Sequence, residues 1–120
     1  SSQRTYLLGL KMPNTLKNEL AQNVGTSAVT LYTCPGATKT IIIGMTAANV
    51  LSNANVNLDI YITSSSNDYH IIKNGTIAPG GTLVPMGGEQ KVILEPGDVV
   101  KAKSTAATSV DVIMSIVEQT

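Results

Sequence analysis

The side chains in this 120-residue sequence that could carry chemistry are His70, Cys34 and the carboxylates Glu19, Asp59, Asp68, Glu89, Glu95, Asp98, Asp111 and Glu118. A nucleophilic cysteine needs an activating base and an electropositive setting. The sole histidine is the only base on offer, and no motif surrounds either residue. Cys34 precedes Pro35-Gly36 at the end of an apolar run, so it reads as a small hydrophobe at a strand end. His70 stands among Asp68, Tyr69 and Ile71 without the spacing of a metal site. Glycoside hydrolysis needs two carboxyls facing each other in a cleft. Asp59 and Asp111 each fall on the polar parity of a predicted strand and could be neighbours, but they also read as solvated surface charges. Glu95 and Asp98 bracket Pro96-Gly97, where aspartate is a turn residue. The glycines form neither phosphate-binding pattern, and Gly80-Gly81 and Gly87-Gly88 read as hinges around Thr82 to Met86. The expectation is a chain with no catalytic residue, no metal ligand and no cofactor.

The elements that would position these residues are strands. In Val56-Asn57-Leu58-Asp59-Ile60-Tyr61-Ile62 the even positions are apolar and the odd ones polar or amphipathic. Val110, Val112, Met114 and Ile116 share one face of a last strand, whose other face carries Asp111 and Ser115 and is interrupted by Ile113 and Val117. Val29 and Leu31 alternate with Thr30 and Tyr32, as Val92 and Leu94 do with Lys91 and Ile93. Ile41-Ile42-Ile43 is a continuous β-branched run, expected in a central strand buried on both faces. Turn signals separate these runs at Cys34-Pro35-Gly36, Ser64 to Asp68, Asn74-Gly75, Ala78 to Gly81 and Pro96-Gly97-Asp98. Asn74-Gly75, between Ile72 and Ile77, predicts a hairpin turn. Helical periodicity is confined to Asn14–Leu20, where Asn14 could cap a helix carrying Leu16 and Leu20.

These signals predict an all-β fold: an antiparallel, jelly-roll-like β-sandwich of about eight short strands over residues 26–120, with residues 1–25 as an N-terminal arm or edge strand. Tyr6-Leu7-Leu8-Gly9-Leu10-Lys11-Met12 has apolar residues on both parities and is followed by Pro13. It suits either an edge strand or an arm that pairs with a neighbouring subunit.

Composition narrows the function. Only 13% of residues are charged and eight basic residues balance eight acidic ones, so a nucleic-acid footprint is not expected. No run approaches the roughly 18 apolar residues of a membrane span. The first residues, Ser1-Ser2-Gln3-Arg4, lack a signal-peptide core, which favours cytoplasmic synthesis. There is no Phe or Trp, and four tyrosines are the whole aromatic set. That weakens sugar binding and base stacking. A surface of Ser, Thr, Asn and Gln repels its neighbours weakly and tolerates lattice packing. Candidate contact residues are Tyr6, Leu8, Leu10 and Met12 for attachment, with Tyr61, Tyr69 and Met86 expected at exposed positions.

Several segments carry a resemblance, in order. They are Val29-Thr30-Leu31-Tyr32-Thr33-Cys34-Pro35, Ile41 through Asn49, Val56 to Ile62, Ile77-Ala78-Pro79-Gly80-Gly81-Thr82-Leu83, Leu94-Glu95-Pro96-Gly97-Asp98 and Val110 to Glu118. Together they resemble a family of small virion structural proteins of tailed bacteriophages, cyanophages especially. The likeness covers about three quarters of the chain and leaves out residues 1–25. It implies a non-enzymatic virion component, most readily a capsid decoration or cement protein in many copies. A tail, neck or fibre component, or a receptor- or carbohydrate-binding tip, is the alternative. Expected partners are other virion proteins and further copies of the chain, and the expected location is the virion.

Overall fold

Period-two burial runs through the chain and sets its architecture. Val110, Val112, Met114 and Ile116 are all buried in one core, with Val56, Leu58 and Ile60 facing them and Val100 and Ala102 beside them. A computed structural model describes residues 14–86 and 91–120, which form nine strands. They are β1 (Asn14–Val24), β2 (Val29–Thr33), β3 (Lys39–Asn49), β4 (Val56–Ser64), β5 (Asn67–Ile77), β6 (Thr82–Met86), β7 (Val92–Leu94), β8 (Val99–Ser104) and β9 (Val110–Gln119).

Two antiparallel sheets pack face to face. One has the order β1-β9-β3-β6, with β7 also paired to β3, and the other runs β2-β8-β4-β5. The pairings nest: β1 lies against β9, β2 against β8, β3 against β6 and β7, and β4 against β5. A long hairpin rolled up on itself gives this nesting, so the sandwich is a jelly roll. Residues Tyr6 to Met12, and with them the proposed arm contacts, lie outside the described residues.

Three local expectations are corrected. Asn14–Leu20 is not helical but belongs to β1, in register with β9 from Asn14 opposite Gln119 to Leu20 opposite Ile113. A spacing of four is a multiple of the strand period and close to one helical turn, so Leu16 and Leu20 alone could not separate the two. Asn74-Gly75 is not a hairpin turn. The β4–β5 hairpin turns at Ser65-Ser66, both at positive φ (51° and 67°), with Ser64 opposite Asn67. This is the two-residue, left-handed loop that matches strand twist. Finally, β3 is an internal strand, but only Ile42 of its isoleucine run is fully buried. Ile41 and Ile43 are half-buried, because no layer covers the outer face of their sheet among the described residues.

Two β-bulges share one construction. Between Ala21 and Val24, β1 has one residue more than the segment of β9 opposite it, and β5 has one more between Ile72 and Gly75 than β4. In each, an asparagine takes the left-handed conformation, Asn23 at φ 58° and Asn74 at φ 56°. In each, the aspartate opposite accepts that asparagine's backbone N–H: Asp111 Oδ1 at 2.9 Å and Asp59 Oδ1 at 2.7 Å. Gly75 follows for a steric reason, since a Cβ there would stand 2.2 Å from Ile72 Cδ1. Asp59 is 8% exposed. Asp59→Ala strands the Asn74 N–H and is expected to cost about 1–2 kcal/mol, read as a shifted urea midpoint.

Candidate functional site

The chemistry-bearing residues do not converge. The Cys34 thiol is 1% exposed and lies 3.3 Å from the Thr38 carbonyl oxygen, 3.4 Å from Thr40 Oγ1 and 3.7 Å from the Leu94 carbonyl oxygen. These are the contacts of a buried structural thiol. His70 is exposed on β5, its ring centroid 5.0 Å from that of Tyr61. Asp59 and Asp111 are in different sheets, so the pairing considered for them does not form. Both are occupied at their bulges.

The other carboxylates of the described residues have structural uses as well. Asp98 accepts from the Glu95 backbone N–H at 2.9 Å and from Ser64 Oγ at 2.7 Å, closing the turn predicted there. Asp68 accepts from Thr63 Oγ1 at 2.7 Å. Glu95 meets Lys39 at 3.5 Å with both side chains 58% exposed, a surface pair of little energetic weight. Glu19 and Glu118 flank Lys17 at 3.9 and 3.7 Å. Among the described residues, no three of His, Cys, Asp and Glu are grouped to hold a metal ion.

Among the described residues, Tyr32 is the one group whose ionisation is clearly shifted. It is 7% exposed and sits in the four-stranded sheet, but its hydroxyl reaches across to the other sheet. There it donates to Glu118 Oε2 and lies 2.8 Å from the Thr40 hydroxyl, which acts as donor to it. Burial, and after it the neighbouring Glu118 carboxylate, holds the phenol well above its ordinary range. The arrangement ties β2 to β3 and β9 and offers no open position for a substrate.

What the structure does assemble is a surface. On the outer face of the five-stranded sheet, Leu16, Val117, Ile41 and Ile93 lie in one cross-strand row over β1, β9, β3 and β7. A second row holds Leu20, Ile113 and Thr46. Leu16 and Leu20 are 74% and 73% exposed, Ile93 is 60% and Ile113 is 50%. Between the rows lie Asn18, hydrogen-bonded to Ser115 at 3.0 Å, and Gly44. No charged side chain interrupts these two rows or the residues between them. Two shallow depressions open here, one lined by Leu16, Lys17, Asn18, Ile43, Ser115 and Ile116 and the other by Leu20, Ala21, Gln22, Asp111, Val112 and Ile113, so that one charged side chain borders each. Contiguous exposed apolar surface is a feature that interaction sites share.

The contact residues expected from sequence fare unevenly. Tyr69 is exposed at 58%, beside a depression lined also by Ile62, His70 and Lys91. Tyr61 and Met86 are corrected: both are buried, at 8% and 4%. Tyr61 does not belong to the core cluster, and His70 stacks on it from the adjacent strand. Met86 ends β6 opposite Met45 and joins the core rather than a loop. The apolar rows were not anticipated as a surface. Their signal was the interruption of polar parity at Ile113 and Val117, which acquires meaning only once the neighbours of β9 are known.

No protein-family model matches the chain, and no curated protein matches it. Among solved structures, it is similar to a chain from the work described as "Bacillus endospore appendages form a novel family of disulfide-linked pili". The TM-score is 0.51 at 12% identity, over 99% of this chain and 98% of that one. At that identity the likeness concerns the fold.

Proposed function

We propose that this chain is a non-enzymatic structural protein of a bacteriophage virion, a capsid decoration or cement protein present in many copies. The observation that carries the assembly part is the apolar pair of rows on the outer face, with Leu16, Leu20, Ile93 and Ile113 each at least half exposed. Such a face is costly in an isolated monomer and useful in a repetitive lattice, where symmetry multiplies weak contacts. The phage assignment rests on the ordered family resemblance. The pilus protein of similar fold is itself an assembly subunit, which is compatible with a structural role. A disulfide link of the kind named for those pili has no counterpart here, because the single cysteine is 1% exposed. A tail, neck or fibre position fits the same surface. A receptor- or carbohydrate-binding tip is favoured only by Tyr69 and its depression.

Two measurements test this reading. Light scattering from micromolar to millimolar concentration is expected to show self-association; a monomer throughout would overturn the homo-oligomer. Quantitative mass spectrometry of purified particles is expected to find many copies per particle. Its absence from particles would remove the virion reading.

A further inference from the structure

We infer that the open edge of β1 pairs with the same edge of a second copy, antiparallel about a two-fold axis at Asn18. The inference rests on the assembly reading and names a contact within it.

β1 ends the five-stranded sheet. On one side it pairs with β9, and among the described residues no strand pairs with its other side. An edge strand presents unpaired N–H and C=O groups that a further strand can take up. The stretch open to a regular ladder is bounded at both ends. Before Asn14 stands Pro13, which has no N–H to give. After Gln22 comes the bulge, with Asn23 in the left-handed conformation at φ 58°. That leaves Asn14 to Gln22, whose midpoint is Asn18.

A two-fold interface has to be complementary to itself. From Asn14 to Gln22 the sequence reads Asn-Thr-Leu-Lys-Asn-Glu-Leu-Ala-Gln, which is a chemical palindrome about Asn18. Laid antiparallel on a second copy, it sets Lys17 opposite Glu19 and Glu19 opposite Lys17. In the same register Leu16 meets Leu20, Asn14 meets Gln22 and Asn18 meets itself. A relative slip of two residues, the smallest that keeps the faces matched, sets Lys17 against Lys17 or Glu19 against Glu19. Like charges directly opposite are unfavourable, so charge selects the register centred on Asn18. In that register the row that begins at Leu16 in one copy continues into the row that begins at Leu20 in the other.

Lys17 decides the occupant. It lies opposite Ile116 on the inward parity of β1, 3.9 Å from Glu19 and 3.7 Å from Glu118 of its own copy. A lysine so placed guards an edge unless the incoming strand brings an acid to meet it. Residues 1–13 carry Arg4 and Lys11 and no carboxylate, so they bring none. Glu19 of a second copy does.

Two experiments on the full chain test this. Asn18→Cys, treated with oxidised glutathione, is expected to give a disulfide-linked dimer. Directly opposed residues of paired antiparallel strands have Cα atoms about 4.5–5.5 Å apart, within disulfide range. Leu16→Cys lies on the same face but is expected to stay unlinked, because its two copies are offset by four residues of strand, about 13 Å. Cys34, at 1% exposure, does not compete. In the second experiment Lys17→Glu and Glu19→Lys are compared by light scattering after circular dichroism has verified their folding. Each sets like charges opposite at two places and is expected to self-associate at least about tenfold more weakly than the wild type. Their equimolar mixture is expected to recover, because the glutamates of one then face the lysines of the other. If Lys17→Glu does not fold beside Glu118, the two cysteine variants decide. Equal linking at both cysteines, or no recovery in the mixture, overturns the inference. If the wild type associates while Asn18→Cys stays unlinked, another surface makes the assembly; the inference falls and the assembly reading stands. A wild type that is monomeric throughout overturns both.

Discussion

Asn49→Ala is expected to lower the unfolding free energy by about 3 kcal/mol or more, with a fall of roughly 10 °C in Tm. Asn49 ends β3 at 1% exposure and uses both ends of its amide. Its Nδ2 donates to the carbonyls of Ala54 and Ile77, each at 2.9 Å, and its Oδ1 accepts the Leu51 N–H at 2.9 Å. One side chain thus fixes the β3–β4 connection and ties it to the end of β5. Its backbone holds the next turn as well, donating to the Gly81 carbonyl at 3.0 Å and accepting from the Gly80 N–H at 3.1 Å. Alanine leaves two carbonyls and one N–H without partners in a site that water reaches poorly, and adds a small void. Asn49→Asp sharpens the test. It keeps an acceptor for Leu51 but turns a carboxylate toward two carbonyl oxygens, so its loss should exceed that of alanine. Urea unfolding checks both, through a displaced midpoint at unchanged slope. A loss below about 1 kcal/mol for alanine would show that the amide bonds are replaced by water.

Asn49 also shows where sequence reading stops. Its position after Ala47-Ala48 identifies a strand end, but its three partners lie in segments that only the folded topology brings together. The same limit separates the other elements. The core parity of β9 was legible because Val110, Val112, Met114 and Ile116 alternate without a break. The order of the strands was not, because alternation specifies a face and not a neighbour. Asp59 and Asp111 were visible as outward carboxylates, yet their work at two bulges depends on an extra residue in the partner strand. Asn74-Gly75 misled for a related reason. Asparagine serves the left-handed bulge and glycine makes room for Ile72, two separate demands that together imitate a turn. The real turn, Ser65-Ser66, falls inside the Ser64-to-Asp68 turn signal, but its serines have little left-handed preference and did not single it out as the two-residue hairpin loop. Of the candidate surface, Ile93, Ile113 and Val117 were each on an outward parity, and it took β1 and β3 on either side of β9 to make them a patch.

The alkaline limb of the stability curve should report the Tyr32 clasp. Burial and the Glu118 carboxylate raise the ionisation of the Tyr32 phenol in the folded protein, while the unfolded chain titrates near the ordinary value of about 10. Below that value both states hold the proton and the contribution is complete. Above it the unfolded chain releases the proton and the folded one retains it. Stability then falls with rising pH by up to about 1.4 kcal/mol per unit, until the folded phenol ionises too. Tyr32→Phe should remove this limb. At neutral pH the same substitution should cost about 1–3 kcal/mol, because the partly buried Glu118 carboxylate and the Thr40 hydroxyl each lose a partner. Lys17, 3.7 Å from Glu118, remains to hold the carboxylate, which places the expected loss in the lower half of that range. The rest of the sequence is common to both proteins, so the difference between the two pH profiles isolates Tyr32. Parallel profiles above pH 10 would mean that the hydroxyl is solvated in the folded state and that packing alone holds β2 against β9.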